Sequence, residues 1–118
     1  MTRILIADCI DAVAEHYGLT REQIKGPSRE WQYAHPRQLA MWLARGLTDR
    51  SLPDIGRHFG NRDHTTVLHA IRAVNERRMA NRRFNWFCES LQMQVECFAQ
   101  SDSLAHLVYR LQLEAHGP

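Results

Sequence analysis

The stretch Ser51-Leu-Pro-Asp-Ile-Gly-Arg-His-Phe-Gly-Asn-Arg-Asp-His-Thr-Thr-Val-Leu-His-Ala70 spells two helices joined by a tight turn. Ser51 with Asp54 forms a capping-box start, Pro53 suits the first helical turn, and Ile55 with Phe59 sets an apolar pair at i, i+4 on one face. Gly60 stops that helix, and Gly60, Asn61 and Arg62 turn the chain towards Asp63, a favourable N-cap. From Asp63 a second helix is expected to run to about Asn81, with Val67, Ala70, Ile71 and Val74 at core spacing. At about 100° per residue, Thr65 lies about 200° from Val67 and faces outward, as do Leu68, His69 and Arg72 in varying degree. A short helix, a tight turn and a second helix opening on small polar side chains make a helix-turn-helix, a shape that enters the major groove of duplex DNA.

Working outward, every clear segment reads as helix, so the fold class is all-α. Ile6, Ile10, Val13, Ala14 and Tyr17 follow the 3.6 period up to Gly18. Thr20 with Gln23 is a second capping box, and Leu19 with Ile24 makes the hydrophobic staple of a short helix ending at Gly26. Residues 26 to 34 read as a loop, Pro36 as the first position of a third helix, and Gly46 as its end, with Leu39, Trp42 and Leu43 facing inward. Beyond Asn81, Phe84, Phe87, Cys88, Leu91, Val95 and Phe98 form an amphipathic stripe close to a heptad seam. Ser101-Asp102-Ser103 reads as a break before a last helix bearing Leu104, Leu107, Val108 and Leu111. The expected division is a helix-turn-helix domain over 1–81 and a helical extension over 82–118.

Composition narrows the function classes. The chain has 118 residues, enough for one small core without staples. Its three cysteines form no CxxC pair, and no signal peptide or membrane-spanning run is visible, which predicts a reducing cytoplasm and no membrane partner. Residues 26–83 hold eleven arginines against five acids, whereas residues 84–118 hold one arginine against four acids. The middle therefore favours a polyanion and the tail does not. With Lys25 the single lysine, nearly every cation is an arginine, suited to bidentate contact with phosphate and guanine edges. No phosphate loop and no GxSxG elbow is present, and His58, His64 and His69 lack metal-ligand spacing, so neither an enzyme nor a metal or other cofactor is expected.

The blocks Arg62-Asp-His-Thr-Thr-Val67, Ser51-Leu-Pro-Asp-Ile-Gly56 and Pro36-Arg-Gln-Leu-Ala-Met-Trp-Leu-Ala44, in this order and spacing, resemble the C-terminal DNA-binding domain of the bacterial replication initiator DnaA, over roughly Ile4 to Met79. The resemblance implies that Asp63, His64 and Thr65 read major-groove bases of a DnaA box. Thr66 and His69 would hold backbone or flanking positions, Arg29 would enter the minor groove, and Arg37 would contact phosphate. Arg45, Ser51, Pro53 and Leu68 complete the expected DNA-binding set. Direct readout fits these side chains: a threonine methyl meets a thymine methyl, an aspartate accepts from cytosine N4, and a histidine or arginine such as Arg62 donates to guanine. The loop at 26–35 departs from the family pattern, with Glu30, Trp31 and Tyr33 at positions often basic or aliphatic. An acid beside phosphates lowers affinity, and Trp31 and Tyr33 are expected in the core rather than stacked on bases. Arg37 and Arg45 are expected on the polar side of the third helix, while Arg77, Arg78, Arg82 and Arg83 serve equally as a phosphate-contacting end or a solvated hinge.

These observations predict double-stranded DNA binding by a transcription regulator or a modulator of replication initiation without ATPase activity. The rival is an adaptor that keeps the helical scaffold and holds a protein partner through its apolar tail. A stripe from Phe84 to Phe98 must be buried. Either it makes a homodimer through residues 84–113, or it folds back on its own domain or on Leu104 to Leu111.

Overall fold

The computed structural model describes residues 3–100, apart from the side chain of Gln100. The break at 101–103 and the helix expected after it lie outside the described residues. Six helices follow one another: α1 (Ile6–Tyr17), α2 (Arg21–Lys25), α3 (Trp31–Leu47), α4 (Leu52–His58), α5 (His64–Ala80) and α6 (Arg82–Gln100). No strand occurs among the described residues, in keeping with the all-α reading.

α3 is the central post, packed against each of the other five helices. Its sequence explains why. Pro36, Arg37 and every residue from Leu39 to Ala44 are buried, which places apolar surface all round the helix, as a fully enclosed helix requires. Around it stand Cys9, Ile10 and Val13 of α1, Ile24 of α2, Ile55 of α4, Phe59 just after it, and Val67 and Val74 of α5, all at most 2 % exposed. The Thr20 capping box forms as expected: Gln23 N–H donates to Thr20 Oγ1 at 3.1 Å, and Thr20 N–H to Gln23 Oε1 at 2.9 Å.

The bounds of α3 correct the sequence reading at both ends. Glu30 is the N-cap, and its carbonyl accepts from Tyr33 and Ala34 at 2.9 and 2.8 Å, so the helix begins five residues before Pro36. Pro36 lacks only the N–H that would have reached the carbonyl four residues back, and its fixed φ is helical. At the other end Ala44 O accepts both Thr48 N–H at 3.1 Å and Thr48 Oγ1 at 2.6 Å, carrying the helix past Gly46. Trp31, expected in the core, is 72 % exposed, because the earlier start puts it in the first turn, on the outer side.

α6 favours, over its described length, the fold-back alternative of the sequence reading. Cys88, Leu91 and Val95 are buried in the same core as α1 and α3, and Phe84 and Phe87 pack against it. The ring of Phe87 lies 4.5 Å from His16 and that of Phe84 lies 4.1 Å from the Arg77 guanidinium. The part of the stripe from Phe84 to Val95 is thus covered by its own chain, and residues 101–113 of the range expected to make a homodimer lie outside the described residues. A 3.6-residue pattern says that a face is buried; it does not say against which copy.

Candidate nucleic-acid interface

α4 opens at Ser51, whose Oγ accepts Asp54 N–H at 3.3 Å, with the exposed Pro53 at the second helical position. The carboxylate of Asp54 does not return to the cap but pairs with Arg57. Behind this helix Ile55 and Phe59 are fully buried beside Val67 of α5. The turn depends on two glycines. Gly60 (φ +73°) and Asn61 (φ +57°) are consecutive left-handed residues that reverse the chain, a conformation open to glycine and tolerated by asparagine. Gly56 lies so close to the returning strand of backbone that a Cβ there would come within 2.1 Å of the Arg62 carbonyl oxygen. In return, Arg62 N–H donates to Gly56 O at 2.8 Å.

α5 then begins, with Asp63, His64, Thr65 and Thr66 all exposed. Asp63 occupies the N-cap position, but its carboxylate makes no capping bond; Asp63 Oδ1 instead lies 2.9 Å from His64 Nδ1, with both side chains well exposed. The N-cap side chain thus leaves the first-turn N–H groups of α5 uncapped, and a helix N-terminus in that condition favours anions. Leu68 is half-buried and His69 exposed one turn further on.

Two arginines behave differently from the sequence reading. Arg62, expected at the bases, turns its guanidinium inward: Nη1 donates to Lys25 O at 2.9 Å and to Phe59 O, and Nη2 donates to Gly26 O. Burial lowers its pKa from the ordinary arginine value. Arg37, expected on the polar side of α3, is 7 % exposed; its Nε donates to Ile24 O at 2.7 Å and Nη1 to Ser28 O at 2.9 Å. Burial, and then the Arg62 charge, lower its pKa to about 10. The reason is geometric. The carbonyls of residues 24–28 span the last turn of the five-residue α2 and the Gly-Pro break that ends it, so they find no helical donors and take guanidinium N–H groups instead.

Arg37 Nη2 is buried and has no acceptor. Arg37 lines a cavity of about 380 Å³ between α3 and α5, together with Gln38, Arg62, Thr66 and His69. Ala34, Met41, Ala70 and Ala73 complete the lining, which includes two arginines and, among the described residues, no carboxylate. Four of the predicted residues thus come together there. Arg29 is exposed on the loop held by the two arginines. Arg45 stands apart, exposed, with Nη1 3.5 Å from Arg50 O, and Ser51, Pro53 and Leu68 also lie outside the cavity. Gln38 was missed; its place beside Arg37 in Pro36-Arg-Gln38 was the only available signal.

Arg77 and Arg78 serve the α5–α6 junction. Arg78 donates to Asn85 Oδ1 at 2.8 Å and Asn75 Oδ1 at 3.0 Å and lies 4.6 Å from the Trp42 ring, while Arg77 lies over Phe84. These contacts make them junction residues rather than a solvated hinge, and they leave the phosphate-contact reading open. Arg82 and Arg83 are exposed. No group of His, Cys, Asp and Glu able to hold a metal occurs among the described residues.

Comparison with known proteins assigns this arrangement. The family described as bacterial dnaA protein helix-turn-helix matches residues 6–74, more than half of the chain. The chain belongs to the bacterial DnaA helix-turn-helix family. Over 89 residues it is 51 % identical to the chromosomal replication initiator protein DnaA of Caulobacter vibrioides (strain NA1000 / CB15N), covering 75 % of this chain and 18 % of that protein. Over 72 residues it is 57 % identical to the DnaA of Caulobacter sp. (strain K31), covering 61 % of this chain and 15 % of the relative. A solved structure titled as a DNA replication initiation factor superposes with a TM-score of 0.70 at 34 % identity, covering 76 % of this chain and 27 % of that one. The chain thus spans less than a fifth of the length of these DnaA relatives, and the DnaA family match ends within α5, leaving all of α6 beyond it.

Proposed function

We propose that this chain binds duplex DNA at sites resembling the DnaA box, with the N-terminal end of α5 in the major groove. It would act on the nucleoid, in the cytoplasm, as a transcription regulator or as a modulator of replication initiation that competes for such sites, without ATPase activity of its own. The observation that carries the reading is the exposure of Asp63, His64, Thr65 and Thr66 at the start of α5, on a helix whose Val67, Ala70 and Val74 are held in the core. A reading head must be solvent-facing and rigidly mounted, and this one is both.

In this reading Asp63, His64 and Thr65 contact base edges. Thr66 and His69 face a backbone phosphate across the cavity between α3 and α5, with the Arg37 charge behind them in its wall. Arg45, Ser51, Pro53 and Leu68 flank the backbone on either side. Arg29, exposed beside the reading head, reaches the adjacent minor groove, where narrow A·T tracts attract arginine. The absence of a carboxylate from the cavity lining supports an anionic occupant.

Titration of a fluorescent duplex carrying a DnaA box tests this against a scrambled duplex and a single strand of the box. Preference for the box and a logarithmic salt slope of about −4, from about −0.9 for each of roughly four phosphates neutralised, support the proposal. Equal binding to box and scramble, or a slope near zero, overturns it. A second reading, as an adaptor for a protein partner, draws on the exposure of Trp31, Met79, Trp86 and Met93, each 70 % or more. It gains ground only where the titration shows no duplex binding.

A further inference from the structure

We infer that Arg62 is a positioning residue that holds the Arg29 loop at a set distance and orientation from the start of α5, so that the two DNA-reading elements act as one. The inference rests on the proposed DNA-binding function and concerns how its two elements are coupled.

Arg62 sits at the junction of both. Its backbone immediately precedes Asp63, the first of the exposed reading residues, and is itself fixed by the bond from its N–H to Gly56 O. Its side chain leaves this turn and donates to the carbonyls of Lys25 and Gly26, more than thirty residues earlier in the chain and three to four residues before Arg29. Arg37 completes the clamp from α3 by taking the carbonyls of Ile24 and Ser28. Two guanidiniums therefore hold four carbonyls within a five-residue span, and the last of these adjoins Arg29. The turn is able to approach this closely because Gly60 carries no Cβ; one there would lie 2.9 Å from Lys25 O.

The chemistry requires arginine. A planar guanidinium presents several N–H groups in fixed directions and is able to hold carbonyls from two separate segments at once. A lysine ammonium at the same place has three donors on a flexible stem and no fixed plane. With its donors engaged by Lys25, Gly26 and Phe59, Arg62 is not free to reach a base, so its effect on recognition passes through Arg29. Loss of the clamp leaves the charge and α5 in place but frees the loop, so Arg29 loses its register with the helix while Thr65 keeps its own. An unregistered arginine still attracts phosphate but no longer prefers one end of the site.

The test uses the full chain as wild type, Arg62→Lys, Arg29→Ala and the double variant, each checked for an unchanged helical circular dichroism spectrum. Each is titrated against a box duplex with an A·T-rich end and against the same box with that end replaced by G·C. Thr65-dependent discrimination, read by adding Thr65→Ala to each protein, serves as the internal control. Wild type is expected to favour the A·T end at least fivefold, Arg62→Lys and Arg29→Ala to lose that preference, and the double variant to lose no more than Arg29→Ala alone. Thr65-dependent discrimination is retained in Arg62→Lys. Coupling is refuted if Arg62→Lys keeps the end preference to within twofold, if its loss adds to that of Arg29→Ala, or if Thr65-dependent discrimination falls with it. Absence of duplex binding by wild type removes the DNA-binding reading and the coupling together, which separates that failure from the others.

Discussion

Replacing Gly56 by alanine is expected to destabilise the fold, although alanine is the better helix former. Position 56 lies within α4, and on helix propensity alone the change is worth about 1 kcal/mol in favour of alanine. The structure opposes it. The new Cβ would sit 2.1 Å from Arg62 O and 3.1 Å from Arg62 C, where real Cβ atoms essentially never come closer than 3.0 Å. The obstruction is main chain and has no rotamer to move to. Relief requires the α4–α5 turn to lift by about 0.9 Å, which stretches the 2.8 Å bond from Arg62 N–H to Gly56 O and loosens Phe59 and Val67. Overpacking costs about 1–3 kcal/mol and a lost hydrogen bond about 1 kcal/mol. Less the propensity gain, the net loss is about 1–3 kcal/mol. For a chain of this size that lowers the thermal midpoint by roughly 4–15 °C, or the urea midpoint by about 0.5–2 M. Gly46→Ala is the matched control: it lies in α3, and its Cβ meets only the flexible Gln92 Nε2 at 3.4 Å, so propensity prevails and the midpoint rises slightly. Equal or raised midpoints for both variants would show that the tight turn over Gly56 does not exist.

Thr65→Ala is expected to cost about 1–3 kcal/mol on the preferred duplex and little on a scrambled one, measured by titration, because it removes base contact and no charge. Leu91→Ala, in α6, should destabilise the whole domain by about 2–5 kcal/mol in urea unfolding, since Leu91 is 2 % exposed in the common core; a loss under 1 kcal/mol would place α6 outside it. Thiol titration of the native protein at pH 8 should show one fast site, Cys97, because Cys9 and Cys88 are buried with pKa values raised to about 12 and about 11, while denaturant exposes all three. Stability should fall as pH drops from 7 to 5. Burial and the Arg77 charge lower the pKa of His35 from 6.5, and burial with Arg50, Lys25 and Arg57 lowers that of His58, so below pH 6.5 the unfolded chain binds more protons than the folded one. A double His35→Asn, His58→Asn variant should flatten that slope, and an unchanged slope would reject the assignment.

The parts of this fold that were legible in the sequence are those set by local chemistry. Ser51, Thr20, Gly60 and the 3.6-residue spacing of Val67, Ala70 and Val74 act within a few residues of themselves, so α2, α4 and the start of α5 fall where the capping and turn residues put them. Pro36 misled because a proline near a helix start and one in its second turn look alike until the carbonyl of Glu30 is seen to begin the helix. The stripe on α6 declared that it was buried but not against what, since covering by the same chain and by a second copy demand the same spacing. At the candidate interface, the exposed residues Asp63 to Thr66 could be assigned from their position on a helix. Arg37 and Arg62 could not, because their carbonyl partners at 24–28 are from nine to thirty-seven residues away, and a charged residue at the edge of a turn looks solvated until the chain returns over it.

The central claim is that the start of α5 reads bases in duplex DNA, and selection from a pool of random duplexes tests it most directly. Sequences retained by the full chain at moderate salt should converge on a DnaA-box-like site with an A·T-rich end, and the same selection with Thr65→Ala should relax at the base pairs facing that residue while leaving the rest of the site intact. Recovery of no common sequence, or of a site unaltered by Thr65→Ala, would contradict the account.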